Sequence, residues 1–445
     1  MLIDERYDRQ ERIEGWDQSK LAEARVTIVG SGPLARYTAL PLVALGVGHL
    51  RIVSNAECKN ENLLGIELKG SEAKSLEAAL KQINPTVEVQ GVNAAIVNEG
   101  STYFLEGTSM LLDLTNNQRS KAITADYACA KGIPYFSAAN VQAYGKILRA
   151  QGIDPRLLLP TIQGEQDDLV SLAMGGMLTE EVKRTMMGQD ELRVPIYYNL
   201  AHPDRFTYQR AELGEGDFSK KKVLMIGAGA LGNFVGIGLA QLGVGQIDIM
   251  DEDTVEGNNL NRQVLYHDCV GESKADSLKR KIELMSNGEV KVRAYNQWFT
   301  ENTKMKRKYD AIFDCLDSFR VRATLSDYVV KHQVPLVSGG TNYHSGQVAV
   351  YVPGKTSCLQ CKMDIHRLAD ESEAARRAAG CLLQPNASVI MTNQAIGGMM
   401  VAEARAVFDP ETYGAPTNGV INYDSNLETK AGVNHIKEVC ECKSH

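Results

Sequence analysis

The chain has 445 residues, a formal charge of −7 and 44% hydrophobic side chains. That length suits roughly three domains of about 150 residues, with ample apolar material for large cores. The negative balance argues against a nucleic-acid binder, which would carry a basic face, and no run of about eighteen apolar residues offers a membrane span.

The first residues, "MLIDERYDRQERIEG", are too charged for a signal peptide, so a cytoplasmic protein is expected. Nine cysteines, an odd number for a reducing compartment, point to ligands or nucleophiles rather than disulfides.

Residues 26 to 54, "VTIVGSGPLARYTALPLVALGVGHLRIVS", read as strand, glycine turn, helix and strand. A buried apolar run, small residues, helical periodicity and β-branched residues follow in that order. "LLDLTNNQRSK" from 111 and "PYFSAANVQAYG" from 134 continue the unit. Residues 151 to 205 come next as a connector, with a short helix at "LTEEVKRTMMGQ".

The unit then repeats. "VLMIGAGALGNFVGIGLAQLGVGQIDIMD" at 223 to 251 matches residues 26 to 54 at an offset of 197, and "IFDCLDSFRVR" and "PLVSGGTNYHSG" match at 201. Such βαβ units build parallel sheets, so the expected fold is α/β, with two tandem Rossmann-like domains. The expected boundaries are 1–150, the 151–205 connector, a 206–355 core, and 356–445 completing the second domain with a cysteine loop and a zinc site.

"GAGALG", with Gly227, Gly229 and Gly232, suits a turn that brings backbone N–H groups to a phosphate. Asp251 follows at the next strand end, where an acid can hold ribose hydroxyls. A nicotinamide site would use both and nothing more, which leaves an NAD-dependent oxidoreductase as an alternative. Arg262 and Lys274 instead place two cations near the turn, suited to a triphosphate and a leaving pyrophosphate. Asp317 offers a hard oxygen for Mg²⁺. Taken singly, Lys274 also fits a solvated helix residue, and Asp317 a helix N-cap.

The first copy discriminates. Ser54, Ala56, Gly65 and Asn116 stand where the second has Asp251, Asp253, Arg262 and Asp317, while turn glycines and strand residues persist. A requirement of the fold would act on both copies, so these charges serve chemistry. Arg9 runs the other way, matching Tyr208; if the copies pack about a pseudo-two-fold axis, it could reach the other half's phosphates, though an exposed helix-start residue is an equal reading. "CLQC" and "CEC" supply Cys358, Cys361, Cys440 and Cys442, a thiolate set for structural Zn²⁺ in which His435 or His445 could replace one sulfur. Cys381, in "RRAAGCLLQP", reads as an inert small residue or as a nucleophile whose thiolate Arg376 and Arg377 favour. Cys58, Cys129, Cys269 and Cys315 read as packing.

"GAGALG", "DEDTVEGNNLNRQ", the lysine of "GESK", "DCLDS", "CLQC" and "CEC" together resemble the ubiquitin-activating enzyme superfamily of ThiF, MoeB and HesA. The resemblance implies an inactive and an active adenylation domain in one chain, forming an internal pseudo-dimer, with further homodimerisation open. It implies an adenylyltransferase or ligase that uses ATP and Mg²⁺ to adenylate the C-terminal carboxylate of a ubiquitin-like protein. Asp251 would bind ribose, with Asp253 and Gln263 beside it; Asn259, Arg262 and Lys274 would contact phosphates, Asp317 would bind Mg²⁺ and Arg9 would act across the pseudo-dimer. Cys381 would accept the acyl group as a thioester, with a ubiquitin-conjugating-like enzyme as a further partner. The alternative within the family is activation of a sulfur-carrier protein or peptide without a thioester.

Overall fold

The computed structural model describes residues 5–59, 62–150, 164–189, 192–209, 214–305, 307–379, 387–440 and 442. In the first half, β1 (Arg25–Val29) and β2 (His49–Val53) precede a small hairpin, β3 (Asn62–Leu63) and β4 (Ile66–Glu67). Then come β5 (Glu88–Val92), β6 (Met110–Asp113), β7 (Tyr135–Val141), β8 (Tyr144–Ala150) and β9 (Ile196–Asn199). The sheet order is β5-β2-β1-β6-β7-β8-β9. It is parallel as far as β7 and antiparallel beyond.

The second half repeats this with β10 (Lys222–Ile226), β11 (Gln246–Met250), β12 (Lys291–Tyr295), β13 (Ala311–Asp314), β14 (Leu336–Thr341), β15 (Ser345–Tyr351), β16 (Gly419–Asp424) and β17 (Ala431–His435). Its order is β12-β11-β10-β13-β14-β15-β16-β17. The central strands "RVTIV" and "KVLMI" are buried at every position but the first, as expected for parallel strands covered on both faces.

The described part of the presumed connector belongs to the first sheet instead. β9 pairs antiparallel with β8, as β16 pairs with β15, and Tyr198 opposite Gly145 repeats Tyr423 opposite Gly346. The short helix expected at "LTEEVKRTMMGQ" is the second half of a twenty-residue helix, Asp168–Met187, capped by Asp167 and ended by Gly188 in the left-handed conformation. Its counterpart is Ile390–Phe408. Val389, Ile390, Ile396, Met399 and Met400 there are fully buried. "ADESEAARRAA", ahead of Cys381, is the end of the helix Ile365–Ala379.

These two buried helices cross at the centre of the molecule, each through a Gly-Gly pair. A Cβ on Gly176 would stand 2.6 Å from Ala395 N, and one on Gly398 would stand 2.6 Å from Ala173 N. The other member of each pair meets the glycine-turn helix of its own half: Gly175 lies against Tyr37 O, at 2.5 Å from such a Cβ, and Gly397 against Phe234 Cβ, at 2.6 Å. Tyr37 and Phe234 are related by the same offset of 197 as the repeat, so the contact obeys a pseudo-two-fold. Gln394 donates across it to Tyr37 O at 2.6 Å, and Glu403 of the second half pairs with buried Arg205 at 2.5 Å. A single apolar core runs through both halves. Among the described residues, no helix is long and apolar enough to cross a membrane.

Because backbone or a fixed Cβ, not the tip of a flexible side chain, stands nearest each missing Cβ, the crossing cannot yield locally. Gly398→Ala is expected to destabilise the fold by about 1–3 kcal/mol, read as a lower thermal midpoint. Gly432→Ala, where a Cβ meets nothing within 4 Å, should leave the midpoint unchanged.

Candidate active site

A cavity of about 1260 Å³ opens at the carboxyl edge of the second sheet. Its floor is the Gly227 turn, where φ is +96° and a Cβ would strike Cys315 O at 2.6 Å, so only glycine fits. The helix Ala230–Gln241 starts from Gly229 without a side-chain cap, which leaves its positive end directed into the cavity. Asp251, mostly buried, accepts hydrogen bonds from Ala228 N at 2.6 Å and Asp253 N at 2.8 Å. Burial pushes its carboxyl above the usual range, and the two N–H groups oppose that shift.

Cations surround this floor. Lys274 begins the helix Lys274–Met285 and is 9% exposed, not solvated; its Nζ is 2.7 Å from Asp253 Oδ2. Arg262 Nη1 donates to Asn258 O at 2.6 Å and Asn261 Oδ1 at 2.8 Å. Burial, reinforced by neighbouring Arg9, lowers its pKa to about 10, so an anion between the two arginines would relieve both. Asn259 caps its own turn against Glu256 and, like Gln263, is buried in the wall.

Arg9 comes from the first half and lines this second-half cavity. Its helix is tied there: Asn261 Nδ2 donates to Gln10 Oε1 at 3.1 Å, and Ser388 N donates to Arg9 O at 3.3 Å. The matching Tyr208 is 72% exposed. Asp317 lies on the same wall. It is not a helix cap, since Ser318 caps Phe319–His332.

The first copy's equivalent space is closed by its own side chains. Gln166 Oε1 accepts from Leu34 N at 3.0 Å at the helix start, and its amide donates to Leu114 O at 2.8 Å. At the matching entry to the second central helix stands short Ser388, on the cavity wall. Glu72, which bonds Ser31 and pairs with Arg36 at 3.0 Å, begins the helix equivalent to that of Lys274. The bridges Glu57 to Ser71 and Thr254 to Ser273 set that register. Thus the first copy reverses the charge of Lys274, a signal available by aligning helix starts instead of turns. Asn116, in place of Asp317, donates to Asn140 O and Gly164 O at 2.8 Å.

The four tail cysteines converge, with sulfurs all within 4.8 Å of one another. His435 instead bonds Asp204 at 2.9 Å, and His445 lies outside the described residues. Cys358 N donates to Cys440 Sγ at 3.2 Å. Four sulfurs within reach of one ion, one of them accepting a backbone N–H, fit structural Zn²⁺. Of the cysteines read as packing, Cys269 and Cys315 are buried, Cys58 is half-buried and Cys129 is exposed. Cys381 lies outside the described residues. Purified chain should carry one zinc by metal analysis, and Cys440→Ser should lose it together with thermal stability.

Residues 7–157 and 206–443 match the ThiF family model. Curated relatives include the adenylyltransferase and sulfurtransferase MOCS3 of Caenorhabditis briggsae, 33% identical across 42% of this chain and 47% of that protein. MOCS3-1 of Zea mays is 35% identical across 33% and 32%. The chain therefore spans less than half the length of these relatives. Among solved structures, E. coli MccB with ATP aligns at 25% identity over 51% of this chain and 67% of that one, with a TM-score of 0.42. With two matched segments covering most of its length, the chain belongs to the ThiF family.

Proposed function

We propose that this chain adenylates the C-terminal carboxylate of a ubiquitin-like or sulfur-carrier protein, using ATP and releasing pyrophosphate. One observation carries the reading: of two homologous pockets, one is closed by Gln166, Glu72 and Asn116, and the other is open and ringed by Arg9, Arg262 and Lys274. The names of the MOCS3 relatives agree with it. An NAD-dependent oxidoreductase would leave those cations and Asp317 without a role.

Phosphates lie against the Gly227 turn and the helix start, and the ribose hydroxyls bond Asp251. Asp317 supplies a hard oxygen for Mg²⁺, whose chemistry is to neutralise phosphate charge. Beyond Gly340 the cavity continues past Asn342, Gln347, Asn422 and Asn434, polar side chains suited to the backbone of an extended tail. A tail carboxylate oxygen attacks the α-phosphorus, and the bond to the β-phosphate oxygen breaks. Arg9, Arg262 and Lys274 stabilise the departing charge, so catalysis is positioning plus electrostatics.

The finer step is transfer of the acyl group to Cys381, whose thiolate attacks the acyl carbon as AMP leaves. Ala387 and Ser388, a few residues further along the chain, line the cavity, which supports this assignment. ATP–pyrophosphate exchange with a glycine-ended carrier tests the first reaction. Asp317→Ala should abolish exchange, and Arg9→Ala should slow it by about 10²–10³-fold, an effect no exposed helix-start residue would show. Exchange at the parental rate in Asp317→Ala overturns the reading.

Cys381→Ala should retain exchange and lose the reducible acyl adduct. Retention of the adduct overturns the nucleophile assignment, and sulfide transfer from the adenylate without any adduct selects the sulfur-carrier alternative.

A further inference from the structure

Both halves carry a buried ion pair across the pseudo-two-fold, but they build it differently. A buried tyrosine, Tyr198 on β9 or Tyr423 on β16, leads into a turn of equal length, 199–205 or 424–430, at an offset of 225. The first residue of each turn donates its N–H to the last: Asn199 to Arg205 O at 2.5 Å, and Asp424 to Lys430 O at 2.7 Å. That last residue is basic in both. It meets a glutamate on the opposite half's central helix, Glu403 or Glu181, five residues beyond the crossing glycine in each case.

One pair is tight and the other loose. Arg205 forks onto Glu403 at 2.5 and 3.1 Å, and its remaining terminal nitrogen holds His202 O at 2.7 Å. Lys430 has a single nitrogen for both tasks and cannot reproduce that fork. Its Nζ donates to Ser425 O at 2.5 Å and stays 3.7 Å from Glu181, whose carboxylate oxygens are buried without a hydrogen bond. Facing Glu181 are Glu180, Lys183 and Arg184 of its own helix, Lys430 of the turn and Tyr423 of β16. Burial pushes the Glu181 carboxyl up to about 7, against the pull of Lys430, so the pair is fully charged only above neutral pH. The presence of a pair belongs to the fold, since both copies keep it; its looser form belongs to the second turn alone.

The two turns also border different things. Turn 199–205 contributes nothing to the cavity, whereas turn 424–430 supplies Asp424, Leu427, Thr429 and Lys430 to its wall. It joins β16 to β17, the outermost strands of the sheet, so it lies at the end of the cavity away from the Gly227 turn. Arg184 of the helix Asp168–Met187 holds the same turn, donating to Asn426 Oδ1 at 2.9 Å. We propose that Glu181 is a positioning residue for the carrier tail: through Lys430 it sets the turn that walls the outer part of the tail's path. The half with the closed pocket then serves the open one at both ends, by Arg9 at the phosphates and by Glu181 where the tail enters. This inference rests on the functional reading above and names what shapes the tail's part of that site.

ATP–pyrophosphate exchange at saturating Mg-ATP, with a glycine-ended carrier varied between pH 6 and 8, tests it. Below about pH 7 Glu181 is neutral and Lys430 loses its counter-charge, so the carrier KM of the parent should rise as pH falls while kcat holds. Glu181→Gln should raise that KM about tenfold at pH 8, abolish its pH dependence and leave kcat at saturating carrier unchanged, the mark of lost binding and not of lost chemistry. Lys430→Arg, which supplies the fork found in the first copy, should move the inflection to lower pH. It keeps the charge, so it serves as the test should Glu181→Gln fail to fold. A carrier KM in Glu181→Gln that matches the parent at every pH overturns this inference alone, as does a lower thermal midpoint with KM unchanged or an inflection unmoved in Lys430→Arg. A parent chain that catalyses no exchange overturns the functional reading with it.

Discussion

Two helices crossing through paired glycines hold the molecule together. Because Gly176 and Gly398 let backbone approach backbone, Asp168–Met187 and Ile390–Phe408 share the centre, and each presses its other glycine onto the glycine-turn helix of its own half. Both nucleotide-type turns are thereby fixed relative to one axis. That geometry sets what can enter each pocket: two residues before the start of one central helix stands Gln166, long enough to reach the turn, and two residues before the start of the other stands Ser388, which is not. It also brings the N-terminal helix of the first half to the cavity of the second, which is why Arg9 borders Arg262.

Charges in the repeat divide into two kinds. Asp113 with Lys121 and Asp314 with Arg322 are fully buried pairs at equivalent strand ends, at 3.6 and 3.0 Å. Arg205 with Glu403 and Lys430 with Glu181 likewise recur across the axis. Leaving one member of such a pair buried alone would cost several kcal/mol, so both copies keep them for structural reasons. Asp251, Arg262, Lys274 and Asp317 have no such constraint. In the first copy they are uncharged or, at Glu72, reversed, and the space they would serve is occupied.

Much of this is visible in the chain as written. Within each copy the glycine turn and the strand ends lie within about thirty residues of one another, where periodicity is a dependable guide, and the same pattern recurs 197 residues further on. The cysteine set was likewise legible as CxxC and CxC, because thiolate spacing is a local property. The segment from 151 to 205 was not. Its helix is buried on almost every side, the charged Glu180, Glu181, Lys183 and Arg184 included, so no polar face marks its length, and its strand is four residues long. The counterpart of each lies 222 or more residues away, beyond an insertion of different length in each copy.

The sequence by itself determined which half keeps a charged pocket, since substitution at matched positions needs no coordinates to read. Only tertiary structure decided that the other pocket is filled, that Arg9 crosses to its neighbour and that all four cysteine sulfurs meet while His435 turns to Asp204. The physical reason is distance along the chain. Local backbone preference and side-chain pattern act over a few turns of helix or one strand pair, whereas occupancy of a cavity depends on side chains that come together only when the two central helices have packed.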